Sequence, residues 1–346
     1  MVRMVMDSDN ICIYVNGFGN IGRAFVELVI SEHNLLEVFN ARICGVFDSS
    51  GGVVSVQGLK WEILKELLNI PRSGLGSSIV GKKDISVLDV VDEGDIVIEV
   101  TPSIYNPEHQ VNKVFVKLIE KGVYIVTANK APLALNPGLI RSYGMPGPYQ
   151  RLYFSATVMA GTPLINLLYG LRGRNIVKIR ALLNATTNYL LTLMEQGYSF
   201  EEALKKAQEE GIAEPNPALD VEGWDAAAKA AIVSTVVGWP RKIEDVVRVP
   251  LSEAGSDIEQ LKIAKKKLKY MAMVSEREAI VKPESIGPES KLYHVTWNYN
   301  AVEIWIEVGE KAYKIFLEGP GGGRKPTADA LFSDTITLLS TLKRSR

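Results

Sequence analysis

The densest run of groups able to bind ions or move protons lies between Glu214 and Lys229, reading Glu214-Pro-Asn-Pro-Ala-Leu-Asp220-Val-Glu-Gly223-Trp-Asp225-Ala-Ala-Ala-Lys229. Carboxylates can hold a cationic substrate group, and a lysine can give a proton to an oxygen that is gaining negative charge. Pro215 and Pro217 bias Glu214 and Asn216 towards extended backbone, which puts Glu214 on a stiff loop. Asp225 and Lys229 stand at i and i+4 on the next helix. As a solvated surface pair they would contribute only about 0.3–0.5 kcal/mol. The helical wheel argues against that role. Both ions fall on the side of Ile232 and Val236, while the opposite side carries Ala227, Ala230, Ala231, Ser234 and Val237. A helix without a charged outer face turns its two ions into an enclosed space, and enclosed ions mark sites. His33, His109 and His294 lie in polar loop or strand contexts. Proton transfer is therefore left to Lys, Asp, Glu or Tyr.

A second cluster is built from glycine. The apolar run Ile11–Val15 is followed at once by Gly17-Phe18-Gly19-Asn20-Ile21-Gly22 and then by a helical pattern to Ile30. Strand, three glycines and helix form the context of a dinucleotide site: Gly17 permits the tight turn, Gly19 lets amides approach a pyrophosphate, and Gly22 allows close packing. Asp48 ends the second strand, where a carboxylate would accept hydrogen bonds from the adenine ribose and favour NAD. Ser49, Ser50 and Lys60 could instead hold a 2′-phosphate, so NAD and NADP both stay open.

These groups need a scaffold, and 346 residues suffice for two domains. The first half alternates strands (Ile11–Val15, Ala41–Phe47, Ile85–Val91, Asp95–Val100, Tyr124–Thr127) with helices, which implies a parallel sheet. Pro146-Gly-Pro148 marks the change of pattern. The expected division is a Rossmann-type nucleotide-binding domain over 1–150, completed by 318–346, and an α+β domain over 151–317. In the latter, Ser199 with Glu202 forms a capping box. Ile176–Leu183, Leu292–Tyr299, Val302–Val308 and Ala312–Leu317 read as strands, the last two joined at Gly309-Glu-Lys311. The five lysines of Lys262–Lys269 read as a solvated helix face. The tail is helical from about Thr327 to Lys343.

Composition narrows the classes. Thirty-nine basic residues against forty acidic ones leave a net charge of −1, which counts against nucleic acid as a partner. Cys12 and Cys44 cannot make a disulfide framework, so cysteine usage reads as a reducing, cytoplasmic compartment. The first ten residues lack the apolar core of a signal peptide, and no apolar run is long enough for a membrane span.

Six ordered motifs together resemble the homoserine dehydrogenase family, along nearly the whole chain. They are Gly17–Gly22, Glu99-Val-Thr-Pro102, Thr127-Ala-Asn-Lys130, Ala156-Thr-Val-Met-Ala-Gly-Thr-Pro163, Leu183-Asn-Ala-Thr-Thr-Asn-Tyr189 and the Glu214–Lys229 stretch. The resemblance implies interconversion of L-homoserine and L-aspartate 4-semialdehyde by hydride transfer with NAD or NADP, in threonine, methionine and isoleucine biosynthesis. It implies that Glu214 binds the substrate ammonium group, that Asp225 holds its polar end and orients Lys229, and that Asp220 supports the loop. Lys229 would donate the proton, with Lys130 facing it across the cleft. Thr101 would lie near the nicotinamide, and Gly319–Gly323 would return to the cofactor. A homodimer is implied, with the second domain at the subunit contact.

Two positions depart from the family pattern. Members that bind sodium carry an acidic residue where this chain has Ser155. The backbone carbonyls of Val158, Ala160 and Thr162 could still coordinate a monovalent cation, in a weak site. Asn216 stands where an acidic residue is common. A catalytically silent dinucleotide sensor on the same fold is the alternative from another class, and intact Glu214, Asp225, Lys130 and Lys229 count against it. A saccharopine-type reductase would share the fold but not the Glu214–Lys229 signature. No regulatory domain or kinase is expected, and hence no threonine feedback through one.

Overall fold

Strands that are apolar along their whole length must be covered on both faces, which is the situation of a parallel sheet flanked by helices. The computed structural model describes residues 10–214, 216–253 and 258–344. Residues 1–9, on which the signal-peptide expectation rests, and Pro215 of the Glu214 loop lie outside the described residues. The chain divides into two compact units. One takes the chain up to Pro132, Ser142–Ala156 and the segment from Arg324. The other takes Leu133–Arg141 and Thr157–Gly323.

The first unit holds β1 (Ile11–Asn16), β2 (Ala41–Asp48), β3 (Gly51–Val54), β4 (Lys82–Lys83), β5 (Ile96–Glu99), β6 (Tyr124–Thr127) and β7 (Leu152–Tyr153), in the order β4-β3-β2-β1-β5-β6-β7. Strands β2, β1, β5, β6 and β7 are parallel, while β3 and β4 add on antiparallel beyond β2. The chain leaves β1 towards β2 on one side and joins β5 on the other, and such a reversal of strand order is where open α/β sheets bind ligands. Helix Asn20–Ser31 packs along the C-terminal helix Arg324–Arg344, with Phe25, Val26, Val29, Leu331, Leu338 and Leu339 in the core between sheet and helices.

Two expectations change here. Ile85–Val91 is no strand: Ser86 and Asp89 close a capping box around a single 3₁₀ turn, Val87–Asp89, and the chain bends away. Cys12 and Cys44 are disulfide-bonded. The register between β1 and β2 shifts after Ile13, leaving Cys44 as the extra residue of β2, and the two Cα atoms stand 5.4 Å apart. Cysteine usage therefore gives no sign of a reducing compartment.

The second unit holds β8 (Asn175–Leu182), β9 (Val247–Arg248), β10 (Lys267–Val274), β11 (Ala279–Ile286), β12 (Tyr299–Val308) and β13 (Lys311–Pro320), in the order β13-β12-β8-β10-β11-β9. Every pairing is antiparallel except that of β9 with β11. Helix Trp224–Val236 lies against β10 and β11, and every residue from Ala226 to Val236 is buried. That is why it lacks a polar face. Helix Phe200–Glu209 starts at the Ser199–Glu202 capping box as expected.

The Lys262–Lys269 run is not a solvated helix face. Lys262 closes the short helix Ile258–Ile263, and Lys267–Lys269 open β10. Lys269 is fully buried, donating to Val295 O at 2.8 Å and Asn188 Oδ1 at 3.2 Å, with Glu195 at 3.7 Å. Burial pushes its ammonium down to about 8 against the pull of Glu195. Leu292–Tyr299 is likewise no strand, because Ser290 caps a 3₁₀ turn over Lys291–His294 and β12 begins only at Tyr299. No described helix is long and apolar enough to cross a membrane.

Candidate active site

In the first unit, the carboxyl ends of the parallel strands carry the nucleotide motif. Gly17 follows β1 with φ +109°, and a side chain there would strike the backbone of Val100 and Thr101 at 2.7–2.8 Å. A Cβ on Gly22 would meet Gly17 O at 2.0 Å. Gly19 differs: a Cβ on it would meet nothing within 4 Å, so packing does not demand a glycine there. It is the N-cap of helix Asn20–Ser31 and makes no side-chain cap. Bare amides and open space beside them fit a pyrophosphate, which needs donors and close backbone approach. Phe18 turns its ring into the core beneath the Arg23 guanidinium, 4.4 Å from the ring centre, and Ile21 packs against the same core. Asn20 is exposed and accepts from Arg72 at 2.6 Å.

Asp48 stands at the end of β2, with one oxygen engaged by its own turn and the other by Leu75. Oδ1 accepts from Ser50 N at 2.8 Å and Ser50 Oγ at 2.6 Å, and Oδ2 accepts from Leu75 N at 3.1 Å. Ser50 Oγ accepts from Gly76 N at 2.9 Å, and Ser49 Oγ lies 2.7 Å from Ser73 Oγ. Lys60 does not belong to this corner. Its neighbour Leu59 pairs with Ile43, about 16 Å of strand away from Asp48 at about 3.3 Å per residue.

Glu99, absent from the sequence-derived site, organises the other side of β1. Its buried carboxylate accepts from Asn16 Nδ2 at 2.5 Å, from Thr101 N at 3.1 Å and from Thr101 Oγ1. Asn129 donates to Thr101 Oγ1 at 3.1 Å, and Lys130 N donates to Ser103 Oγ at 3.0 Å. Burial raises the Glu99 pKa against the lowering effect of these donors. The ends of β1, β5 and β6 are thereby tied together, with Thr101 and Lys130 held in place.

In the second unit, Asn184 is the hub. It follows β8 by two residues and caps helix Ala185–Glu195, its Oδ1 accepting from Thr187 N at 2.7 Å. Its amide nitrogen donates to Asp220 Oδ1 at 2.6 Å and to Asp225 Oδ2 at 2.9 Å. Lys229 Nζ pairs with Asp225 Oδ2 at 2.7 Å and donates to Leu183 O at 2.7 Å. The Lys229 side chain is 10% exposed and that of Asp225 16%, so this is an enclosed pair. Burial, and then the charge of Asp225, raise the Asp220 pKa, while Asn184 opposes them. Gly223, at φ +82°, starts the helix that carries both ions, and a Cβ there would collide with Tyr270 Oη at 1.9 Å.

Glu214 is exposed, and its backbone carbonyl accepts from Gln208 at 3.2 Å. Val158, Ala160 and Thr162 are buried. As cation ligands they would offer neutral backbone carbonyls, and no cluster of three His, Cys, Asp or Glu exists among the described residues. Gly323 closes the second unit with φ +109°. Asn184 and Glu99 both lie inside the recognised motifs. Their polar type in otherwise apolar strand ends was the signal that could have singled them out.

Comparison with known proteins places the chain in a family. The family described as homoserine dehydrogenase matches residues 163–336. A homoserine dehydrogenase of Sulfurisphaera tokodaii is 36% identical over 93% of this chain and 96% of its own length. An NAD(+)-dependent homoserine dehydrogenase of Pseudomonas canavaninivorans is 29% identical over 95% of this chain and 96% of its own. The structure of a hyperthermophilic archaeal homoserine dehydrogenase in complex with NADPH superposes with a TM-score of 0.75 at 29% identity, covering 96% of this chain and 98% of that one. On that likeness over nearly its full length, the chain belongs to the homoserine dehydrogenase family.

Proposed function

We propose that the protein is an NAD(P)-dependent homoserine dehydrogenase that interconverts L-homoserine and L-aspartate 4-semialdehyde. The observation that carries this reading is Lys229, an ammonium held at 2.7 Å by both Asp225 and the Leu183 carbonyl. Two of its three donors are thus fixed, and the third is left to point at a substrate oxygen. When bound, the nicotinamide supplies hydride to the aldehyde carbon or accepts it from the alcohol. As the carbonyl is reduced, Lys229 stabilises the developing alkoxide and gives it a proton; in the reverse direction it takes the proton back. Asp225 keeps Lys229 oriented and holds the polar end of the substrate. Asp220 shares the Asn184 amide with Asp225 and so supports the loop. Glu214 offers an exposed carboxylate to the substrate ammonium group. Lys130 is proposed as the second lysine to contact substrate, and Thr101 as a neighbour of the nicotinamide.

A homodimer formed through the second unit is part of the proposal, to be checked by light scattering. A monovalent cation at the carbonyls of Val158, Ala160 and Thr162 would be a weak addition to it. The silent-sensor alternative has less support, since it gives no use to an enclosed Lys229–Asp225 pair. The test is oxidation of NADH and NADPH by the purified chain with and without L-aspartate 4-semialdehyde. Oxidation that depends on the aldehyde is expected. A protein that binds the reduced cofactor and never oxidises it with this aldehyde would instead be the sensor.

A further inference from the structure

The segment Arg72–Gly76 crosses the adenosine end of the first unit. It starts at the first residue of the phosphate-facing helix, where Arg72 Nη2 donates to Asn20 Oδ1 at 2.6 Å. It continues to the end of β2, where Ser73 meets Ser49 at 2.7 Å and the Leu75 and Gly76 amides meet Asp48 and Ser50. Ser73 takes φ +56°, a conformation rare for a residue with a side chain, and it turns its hydroxyl onto Ser49. This places one guanidinium and two hydroxyls between the helix N-terminus and the strand end, which in this fold is where the adenine ribose lies.

The charge around that corner is positive. Arg23, Arg72 and Arg324 interact electrostatically there, against the carboxylates of Asp48 and Glu27. Arg23 is committed to the carbonyls of Leu67, Leu68 and Ile70, and Arg324 is paired with Glu27. Arg72 is exposed and bound to the neutral amide of Asn20, so it can turn to an anion without breaking an ion pair. Asp48, the residue that would select a free 2′-hydroxyl, already accepts three hydrogen bonds, two from Ser50 and one from Leu75.

Resting on the dinucleotide reading above, we propose that this corner selects the 2′-phosphate of NADP(H): Arg72, with the Ser49 and Ser73 hydroxyls, binds the phosphate, and Asp48 organises the loop. A guanidinium matches a phosphate in geometry and charge, and hydroxyls complete its hydrogen bonding. Lys60 takes no part.

The experiment is titration of the full chain with NADPH and NADH, without substrate, for wild type, Arg72→Ser, Ser49→Ala and Lys60→Ala. Wild type is expected to bind NADPH at least about tenfold more tightly than NADH. Arg72→Ser should weaken NADPH by about tenfold or more and leave NADH within about twofold. Ser49→Ala should weaken NADPH by a smaller factor, and Lys60→Ala should change neither. Tighter NADH binding by wild type, or an equal effect of Arg72→Ser on both cofactors, overturns the proposal. Binding of neither cofactor would overturn it through the dinucleotide reading itself. Homoserine activity is not used, so a wrong substrate assignment cannot be mistaken for a wrong phosphate site.

Discussion

Asp220 and Asp225 draw on the same amide nitrogen, and the Lys229 ammonium is oriented by the second of them. Asn184→Ala removes a donor that two half-buried carboxylates share, leaving both without their cheapest neutral partner. It should destabilise the protein by about 1–3 kcal/mol, measured by denaturant unfolding, and lower kcat, because Lys229 then faces an unsettled carboxylate. Asn184→Leu should behave the same way or worse. At this scale the sequence was informative where residue types were unusual for their surroundings. Asp225 and Lys229 were legible as enclosed because nothing on their helix could face water. Glu99 and Asn184 were harder to read, because a polar residue at a strand end is also what ordinary turns contain. Only their partners, far apart in sequence, show that they are hubs.

Two tethers fix the elements of the first unit. The C-terminal helix carries Asp334, buried, whose Oδ2 accepts from Ser155 N at 2.8 Å. Burial raises its carboxyl to about 6 despite the Ser155 hydrogen bonds. The folded protein thus holds this proton more tightly than the unfolded chain, whose aspartates titrate near 3.8. The associated stability is fully present below about pH 4 and is lost as pH rises through about 6. Asp334→Asn should abolish that part of the pH dependence, so that its stability relative to wild type increases across this window by up to about 3 kcal/mol. Unfolding curves at pH 4, 5, 6 and 7 would check it. The second tether is the Cys12–Cys44 bond between β1 and β2. Denatured, unreduced protein should show no free thiol, and Cys12→Ser with Cys44→Ser should lower stability by about 2–4 kcal/mol. Neither tether could be read from spacing, since pairing of Cys44 depends on a register shift that periodicity does not encode. Local pattern did identify β1, β2, β5, β6 and the β12–β13 hairpin. It failed for β10 and β11, where lysines and a proline mask a buried strand, and for two apolar runs that capping residues turn into 3₁₀ helices.

For the molecule as a whole, the near-neutral charge of −1 fits the proposed small zwitterionic substrate, whose charges Glu214, Asp225 and Lys229 are proposed to meet locally. The glycine motif, the strand-end network around Glu99 and the Asn184 hub each sit where a chain turns from strand to helix. These three sites fall at strand ends, where motifs interrupt apolar runs, whereas Asp225 and Lys229 stand on the buried helix Trp224–Val236. In the proposed reaction Lys229 is the group that moves the proton. The most direct measurement is steady-state turnover of Lys229→Ala with L-homoserine and with L-aspartate 4-semialdehyde, alongside titration of its cofactor affinity. The prediction is a fall in kcat of about 10²–10⁴ in both directions with cofactor binding unchanged. Turnover equal to wild type would contradict it.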